Sequence, residues 1–482
     1  MKRIAIVGGG IAGLSAAWRA EQLRRQQPDQ FSYALFERAN RLGGVIRTEH
    51  VDDCVVEAGP DSFLTEKPAA AELCRELGIA GELIGSNDAT RKTFIVVRGR
   101  LAPMPDGLQF IAPTRLLPTA MSPLFSPSTK LRFAREYFSG RANSASVADE
   151  SVADLVRRHF GQQVVDRLAD PLLAGIYGGR ADRLSARAVL PRMVEMEARS
   201  GSLIRGMLAA RNKMQTASGA RARPLFTTLR GGMQQMTDAI AARLDPRAVH
   251  AGTEVASLSR EGDAWRLGPP ARAERFDGIV LALPAHAAAE LLRAAHPELA
   301  RELAAIPHTS SLTVALAYDA SAFSTPLAGF GFLVPRMESR ALLACTYVHN
   351  KFPHRAPAGR VLLRCFIGGE RADEMMNWDS ERIVAAARDE LRGILGVTAR
   401  PRSARVFRWP RAMAQYEVGH LERVGRIGRM RRELPGLALA GNYLRGIGVP
   451  DCIQSGAAAL AEIAQAVSGT AQTAQPRPEA RV

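Results

Sequence analysis

The chain opens with four consecutive apolar residues, Ile4 to Val7, then three glycines, then an Ala-rich stretch from Ile11 to about Arg24. An unbroken apolar run of this length predicts a strand covered on both faces of a parallel sheet, and the stretch after it predicts a helix. Tyr33 to Phe36 predicts a second strand, ending in Glu37. Asp277 to Leu283 is a further apolar run, with Pro284 placed to open a helix. Val249 to Leu258 reads as strand-like. Leu437 to Ala440 is another short apolar strand, stopped by Gly441 and Asn442, with a helix expected to begin near Pro450 and Asp451 and Asp451 as its N-cap. Between these runs the pattern changes. Ala153 to Phe160 is helical in period, while Leu312 to Tyr318 and Val361 to Phe366 are strand-like.

The strands of one parallel sheet therefore come from separate parts of the chain, interrupted by two insertions. The expected division is a discontinuous domain over 1–90, 211–305 and 406–467, a helical insertion over 91–210 and a mixed-sheet insertion over 306–405. A small, polar, Pro-containing tail over 468–482 is expected to be disordered. The Met1-Lys2-Arg3 start followed by apolar residues imitates a signal peptide, but Gly8, Gly9 and Gly10 break the apolar segment and no cleavage site follows.

Gly8, Gly10 and Gly13 form G-x-G-x-x-G between the first strand and the first helix. The first glycine makes the tight turn, the second lets a pyrophosphate approach the backbone, and the third lets helix and strand pack closely. Gly9, Gly10, Ile11 and Ala12 lead into the helix, whose N-terminus supplies unpaired N–H groups and a positive dipole end for phosphate. Glu37 follows Gly13 by 24 residues, where an acceptor for ribose hydroxyls is expected. A nicotinamide dinucleotide and FAD share this cradle. Arg41-Leu42-Gly43-Gly44 and then Glu57-Ala58-Gly59-Pro60-Asp61-Ser62 add further close-approach backbone just beyond the acid, which points to an extended flavin dinucleotide. Gly446 and Gly448 leave open N–H groups before the last helix, whose positive end would suit the anionic reduced flavin. The fold expected is α/β: a Rossmann-like FAD-binding domain with a mixed-sheet substrate domain and a helical insertion domain.

Composition narrows the partners. The 482 residues carry 64 Lys+Arg against 48 Asp+Glu, a net charge of +16, but only 6% are aromatic and the basic residues are scattered. Nucleic-acid binding is not expected from that distribution. Cys54, Cys74, Cys345, Cys365 and Cys452 are far apart and odd in number, so neither a disulfide framework nor a zinc site is expected, and no metal is. Reduced thiols and no window of 18 apolar residues predict a cytoplasmic protein without a membrane span.

The segments "GGGIAGL", "ERANRLGGVIRT" and "EAGPDSFL" resemble the oxygen-dependent porphyrinogen oxidases of haem biosynthesis, within the flavin amine oxidase and phytoene desaturase superfamily. The likeness runs over residues 1–465 and includes "DPLLAGIYGG", "GFGFLVP", "FRWPRAMAQYEVGHLERV" and "GNYLRGIGVPDCIQSG". It implies FAD contacts at Gly8 to Gly13, Glu37, Arg38, Gly44, Val45, Gly59 to Ser62, Val255 at the adenine end, Asn442, Ile447, Gly448 and Val449. It implies a substrate site including Gly178, Phe330, Leu333 and Phe366, with Arg91, or Lys92 in its place, anchoring a propionate. Arg180 departs from the family, which has an acidic residue after "GIYxG", and a basic residue there would instead meet a propionate.

The resemblance implies six-electron oxidation of a porphyrinogen in three flavin cycles, with oxygen as acceptor and hydrogen peroxide as product. The motif wording leans to protoporphyrinogen IX; coproporphyrinogen III is the alternative, and an amine oxidase or carotenoid desaturase a more distant one. It also implies a peripheral contact of the helical insertion with an anionic membrane, where Leu101 to Phe133 mixes apolar residues with Arg115, Lys130 and Arg132. A contact with the next haem-pathway enzyme and a homodimer are further implications. No catalytic acid or base is expected: His286, His308 and His420 are isolated in sequence, and hydride transfer belongs to the flavin.

Overall fold

A computed structural model describes residues 1–109, 111–140, 149–217, 223–268 and 274–468. The tail expected to be disordered therefore lies, but for Ser468, outside the described residues.

The elements that position the site are, in chain order, β1 (Lys2–Val7), α1 (Ile11–Gln26), β2 (Phe31–Glu37), β3 (Thr93–Val97), β4 (Arg100–Pro103), α2 (Pro127–Tyr137) and α3 (Val152–Phe160). They continue with α4 (Asp170–Tyr177), α5 (Leu203–Ala217), β5 (Val249–Ala251), β6 (Gly278–Leu281), α6 (Ala285–Leu292) and β7 (His308–Asp319). The last group is β8 (Gly331–Leu333), β9 (Ala344–Tyr347), β10 (Arg360–Gly368), α7 (Ser380–Leu395), β11 (Ser403–Ala414), β12 (Leu437–Leu439) and α8 (Val449–Ser468).

The apolar runs pair in parallel in the order β5–β2–β1–β6–β12. Ile4, Ile6 and Leu35 pack to one side of this sheet with α1 and α8, while Ala5, Val7 and Phe36 pack to the other with α6, so both faces are covered. That double coverage is why these strands read as continuous apolar runs. The last helix crosses the first: Ser15 Oγ donates to Ile453 O at 2.8 Å, and a Cβ on Gly456 would lie 1.9 Å from Ala12 O.

The second sheet runs β11–β7–β10–β9–β8–β3–β4, antiparallel except for β8 beside β3. It recruits strands from outside the segment 306–405. β3 and β4 come from the stretch expected in the helical insertion, and most of β11 from the stretch expected in the flavin domain. Its alternation separates two environments. Phe332, Cys345, Cys365 and Val314 face a core that includes Ile383 and Leu391 of α7. Leu333, Ala344, Phe366, Thr313 and Phe407 form one row across neighbouring strands on the opposite face.

Helices α2, α3, α4 and α5 build a separate core around Phe133, Leu155, Phe160, Leu173 and Leu203. Two expectations fail locally. The run from Val249 to Leu258 is a strand only to Ala251; Thr253 N–H bonds Glu37 O at 2.8 Å, and residues 253–257 are irregular. The last helix begins at Val449, so Asp451 is not its N-cap but sits in its first turn, accepting the Gly448 N–H at 3.1 Å.

Candidate functional site

The first glycine loop is shaped by what its neighbours leave free. A Cβ on Gly13 would lie 1.8 Å from Gly8 O, so α1 could not sit against β1 with any side chain there. A Cβ on Gly10 would meet nothing within 4 Å. The loop is thus closed toward the sheet and open at the helix start, which is the cradle a diphosphate requires. Glu37 lies at the same end: Oε2 accepts the Gly9 N–H at 2.6 Å and Oε1 the Ala39 N–H at 2.7 Å.

Two further loops nest on the first. Gly10 forms a parallel bridge with Gly43, and Gly43 N–H bonds Gly9 O at 2.8 Å. A Cβ on Gly44 would stand 3.0 Å from Gly10 Cα, and one on Gly59 would stand 1.9 Å from Val45 O. Arg41 ties the second loop by donating to Leu42 O, Gly44 O and Ile46 O. Val45 is exposed in the rim so formed. The C-terminal loop joins from β12, with Ala440 N–H on Leu281 O at 2.9 Å and Gly441 N–H on Ser455 Oγ at 3.1 Å. Asn442 is held on both sides: its Nδ2 donates to Ala412 O at 3.1 Å, and its carbonyl accepts the Tyr416 hydroxyl at 2.6 Å. Val255 is buried, Arg38 exposed, and Ile447 and Gly448 half-buried.

The mixed sheet meets this assembly at the 58–62 loop. Trp409 Nε1 donates to Ala58 O at 2.9 Å, and Arg364 donates to Gly59 O. Lys351 Nζ reaches Asp61 Oδ1 and Oδ2 at 3.2 and 3.1 Å and Ser62 Oγ at 3.1 Å. Burial alone would raise the Asp61 carboxyl, but Lys351 and Arg364 outweigh it and hold the group well below the usual carboxylate range.

Leu333 and Phe366 are each half-buried between fully buried neighbours, so the face they share is only partly covered. Gly175 of α4 packs 3.5 Å from Leu333 Cδ2, measured from the Cβ it lacks, and Gly178 caps α4 in the left-handed conformation at φ +62° beside Gly368. Phe330 is buried, with its N–H on Lys92 O at 2.7 Å. Gly178, Leu333 and Phe366 are thus brought together. Arg91 stands half exposed, 3.7 Å from Asp88. Arg180 is engaged by Asp182 at 2.7 Å.

The histidines are not isolated in space. The rings of His286 and His308 meet edge to face at 5.0 Å, and burial, then Arg411, push His286 down to about 4. His420 stacks on Tyr416 at 4.1 Å. Sequence reading missed Lys351, Arg355 and Arg364, whose hydrogen-bond partners are 126 to 305 residues away along the chain.

The family of flavin containing amine oxidoreductases matches residues 11–464. The chain belongs to that family. FAD is its cofactor, and the open cradle at Gly10 fits it. The Bacillus subtilis coproporphyrinogen III oxidase is 33% identical over 476 residues, 96% of this chain and 97% of its own. The Arabidopsis thaliana protoporphyrinogen oxidase 2 is 26% identical, covering 94% of this chain and 92% of its own. A crystal structure from Exiguobacterium sp. 255-15, provisionally named a protoporphyrinogen oxidase, superposes with a TM-score of 0.84 at 30% identity over 96% of this chain and 98% of that one. Cyclohexylamine oxidase from Brevibacterium oxydans shares the fold, with a TM-score of 0.67 at 18% identity over 97% of this chain and 99% of its own.

Proposed function

We propose that the chain is an FAD-dependent porphyrinogen oxidase of haem biosynthesis, and that its substrate is coproporphyrinogen III. The observation that carries the coarser reading is the row Leu333–Ala344–Phe366, an apolar face abutting the loops of a flavin family member. The finer reading moves from the protoporphyrinogen suggested by motif wording to its alternative. Its support is the coproporphyrinogen III oxidase from Bacillus subtilis, at 33% identity, against the plant protoporphyrinogen oxidases at 26% and 28%.

Bound FAD supplies a two-electron acceptor that dioxygen regenerates, so that three cycles remove six electrons and yield three hydrogen peroxide. The chain's own part is to hold the cofactor and the macrocycle. Gly8 to Gly13 with Glu37 would take the diphosphate and ribose, and Val255 the adenine end. Gly44, Val45, the 59–62 loop, and Asn442 with Ile447 to Val449 would enclose the rest. Gly178, Phe330, Leu333 and Phe366 would bound the tetrapyrrole and exclude water, and Arg91 would receive a carboxylate at the rim. Arg180, already paired with Asp182, is a weaker anchor.

Porphyrin fluorescence measured aerobically with each porphyrinogen tests both levels. A larger kcat/KM for coproporphyrinogen III is expected. A larger value for protoporphyrinogen IX overturns the finer reading, and no fluorescence with either overturns the coarser.

The proposal extends to a peripheral membrane contact through the helical insertion. Leu117, Met121, Leu131 and Phe138 are exposed there, beside exposed Arg115 and Arg132. Among the described residues no helix is long and apolar enough to cross a membrane. Cosedimentation with phosphatidylglycerol vesicles, lost in Leu117→Ser/Phe138→Ser, is the expected result.

A further inference from the structure

Where the 58–62 loop meets the mixed sheet, five buried or nearly buried charges do not cancel. Glu57 and Asp61 are negative; Lys351, Arg355 and Arg364 are positive. Arg355 is committed to Glu57 at 2.6 Å, with further bonds to Thr228 Oγ1 at 2.7 Å and Leu229 O at 3.2 Å, although its Nε–H is buried without a partner. Lys351 is used by Asp61 and Ser62. Arg364 is left over. It donates to Gly59 O and stands 3.8 Å from Asp61, its Nε–H is buried without a partner, and its side chain is 6% exposed. The guanidinium carbon lies 4.6 Å from the centre of the Phe366 ring. Such a group costs desolvation that an apolar residue of similar size would avoid, so stability does not account for it.

We propose that Arg364 is a positioning residue that joins the flavin loop to the substrate wall and lends the flavin site one uncompensated positive charge. This rests on the reading that the 59–62 loop borders FAD and Phe366 borders the substrate. One side chain reaches both a loop carbonyl and the Phe366 ring, so the two surfaces keep a fixed separation. The surplus charge favours whichever cofactor state is more negative.

The test uses the FAD-loaded enzyme. Arg364→Met keeps the bulk and removes the charge; Arg364→Lys keeps the charge without the fork. Reduction potential is read by dithionite titration against a reference dye, which needs no substrate, and kcat and KM are read with coproporphyrinogen III. In Arg364→Met the potential is expected to move negative, and kcat to fall about tenfold or more with KM nearly unchanged. Arg364→Lys is expected to restore the potential but not kcat. Asp61→Asn, which removes a negative charge, is expected to move the potential positive, and it serves if Arg364→Met does not fold. An unmoved potential in fully loaded Arg364→Met, or a negative shift in Asp61→Asn, overturns the proposal. So does a raised KM at unchanged kcat, which would make Arg364 a substrate anchor. If no porphyrinogen reduces the wild-type enzyme, the functional reading fails while the potentials still decide the role of the charge.

Discussion

Lys351 Nζ lies 3.1 Å from Asp61 Oδ2, across 290 residues of sequence, and so fastens the mixed sheet to the loop that follows the first nucleotide-binding strands. The ion pair beside it is more deeply buried. Arg355 and Glu57 side chains are 1% and 3% exposed at 2.6 Å.

Breaking that second pair from one side should be severe. Arg355→Met strands a buried carboxylate that also accepts the Met233 N–H at 2.7 Å and the Thr48 hydroxyl at 2.8 Å. The expected cost is about 3–5 kcal/mol, and the double variant with Glu57→Gln should recover much of it. Urea denaturation midpoints measure both.

The glycine loop separates stability from cofactor affinity. Gly13→Ala drives a methyl group into Gly8 O and should cost about 1–3 kcal/mol as well as FAD. Gly10→Ala enters open space and should leave stability within about 0.5 kcal/mol, while weakening FAD binding. Flavin fluorescence titration of the refolded apoproteins, set beside their melting curves, distinguishes the two outcomes.

Tyr416 holds the C-terminal loop through Asn442 O. Tyr416→Phe leaves that carbonyl without its hydroxyl partner and should cost about 1 kcal/mol. FAD release, followed by fluorescence after dilution, should become faster than in the wild type.

The helical core carries a pH dependence. His159 bridges Glu136 and Glu197, each at 2.9 Å, and Glu136 also receives the Leu203 N–H at 2.6 Å at the start of α5. Burial opposes the imidazolium, but the two carboxylates outweigh it and raise His159 above its ordinary 6.5. Its contribution is therefore complete below that value and is lost as pH rises through the raised one. Glu197 is lowered from 4.5 to about 2, against burial, by His159 and Arg158, so its contribution fades as pH falls through that interval. Melting temperature should be highest between these limits, and His159→Gln should flatten the alkaline arm.

The parallel sheet and its glycine turn were legible because each is written in consecutive residues: Ile4 to Val7, the glycines, then α1. The substrate-facing row was legible only as separate aromatic and aliphatic residues, since the register that aligns Leu333 with Phe366 through Ala344 is not local. Charge partners were illegible for the same reason. Nothing near Arg364 in sequence announces Gly59, and nothing near His286 announces His308. The end of the strand at Ala251 was missed because it is set by its partner: β2 stops at Glu37, whose carbonyl takes the Thr253 N–H, and offers no further strand residue to pair with.

The crossing of α8 over α1, with Gly456 against Ala12, has a temporal meaning. A ribosome delivers the first glycine turn some 440 residues before the helix that braces it. During most of its synthesis the nascent chain holds half a clasp, and should be colourless until Val449 to Ser468 has emerged and swung back.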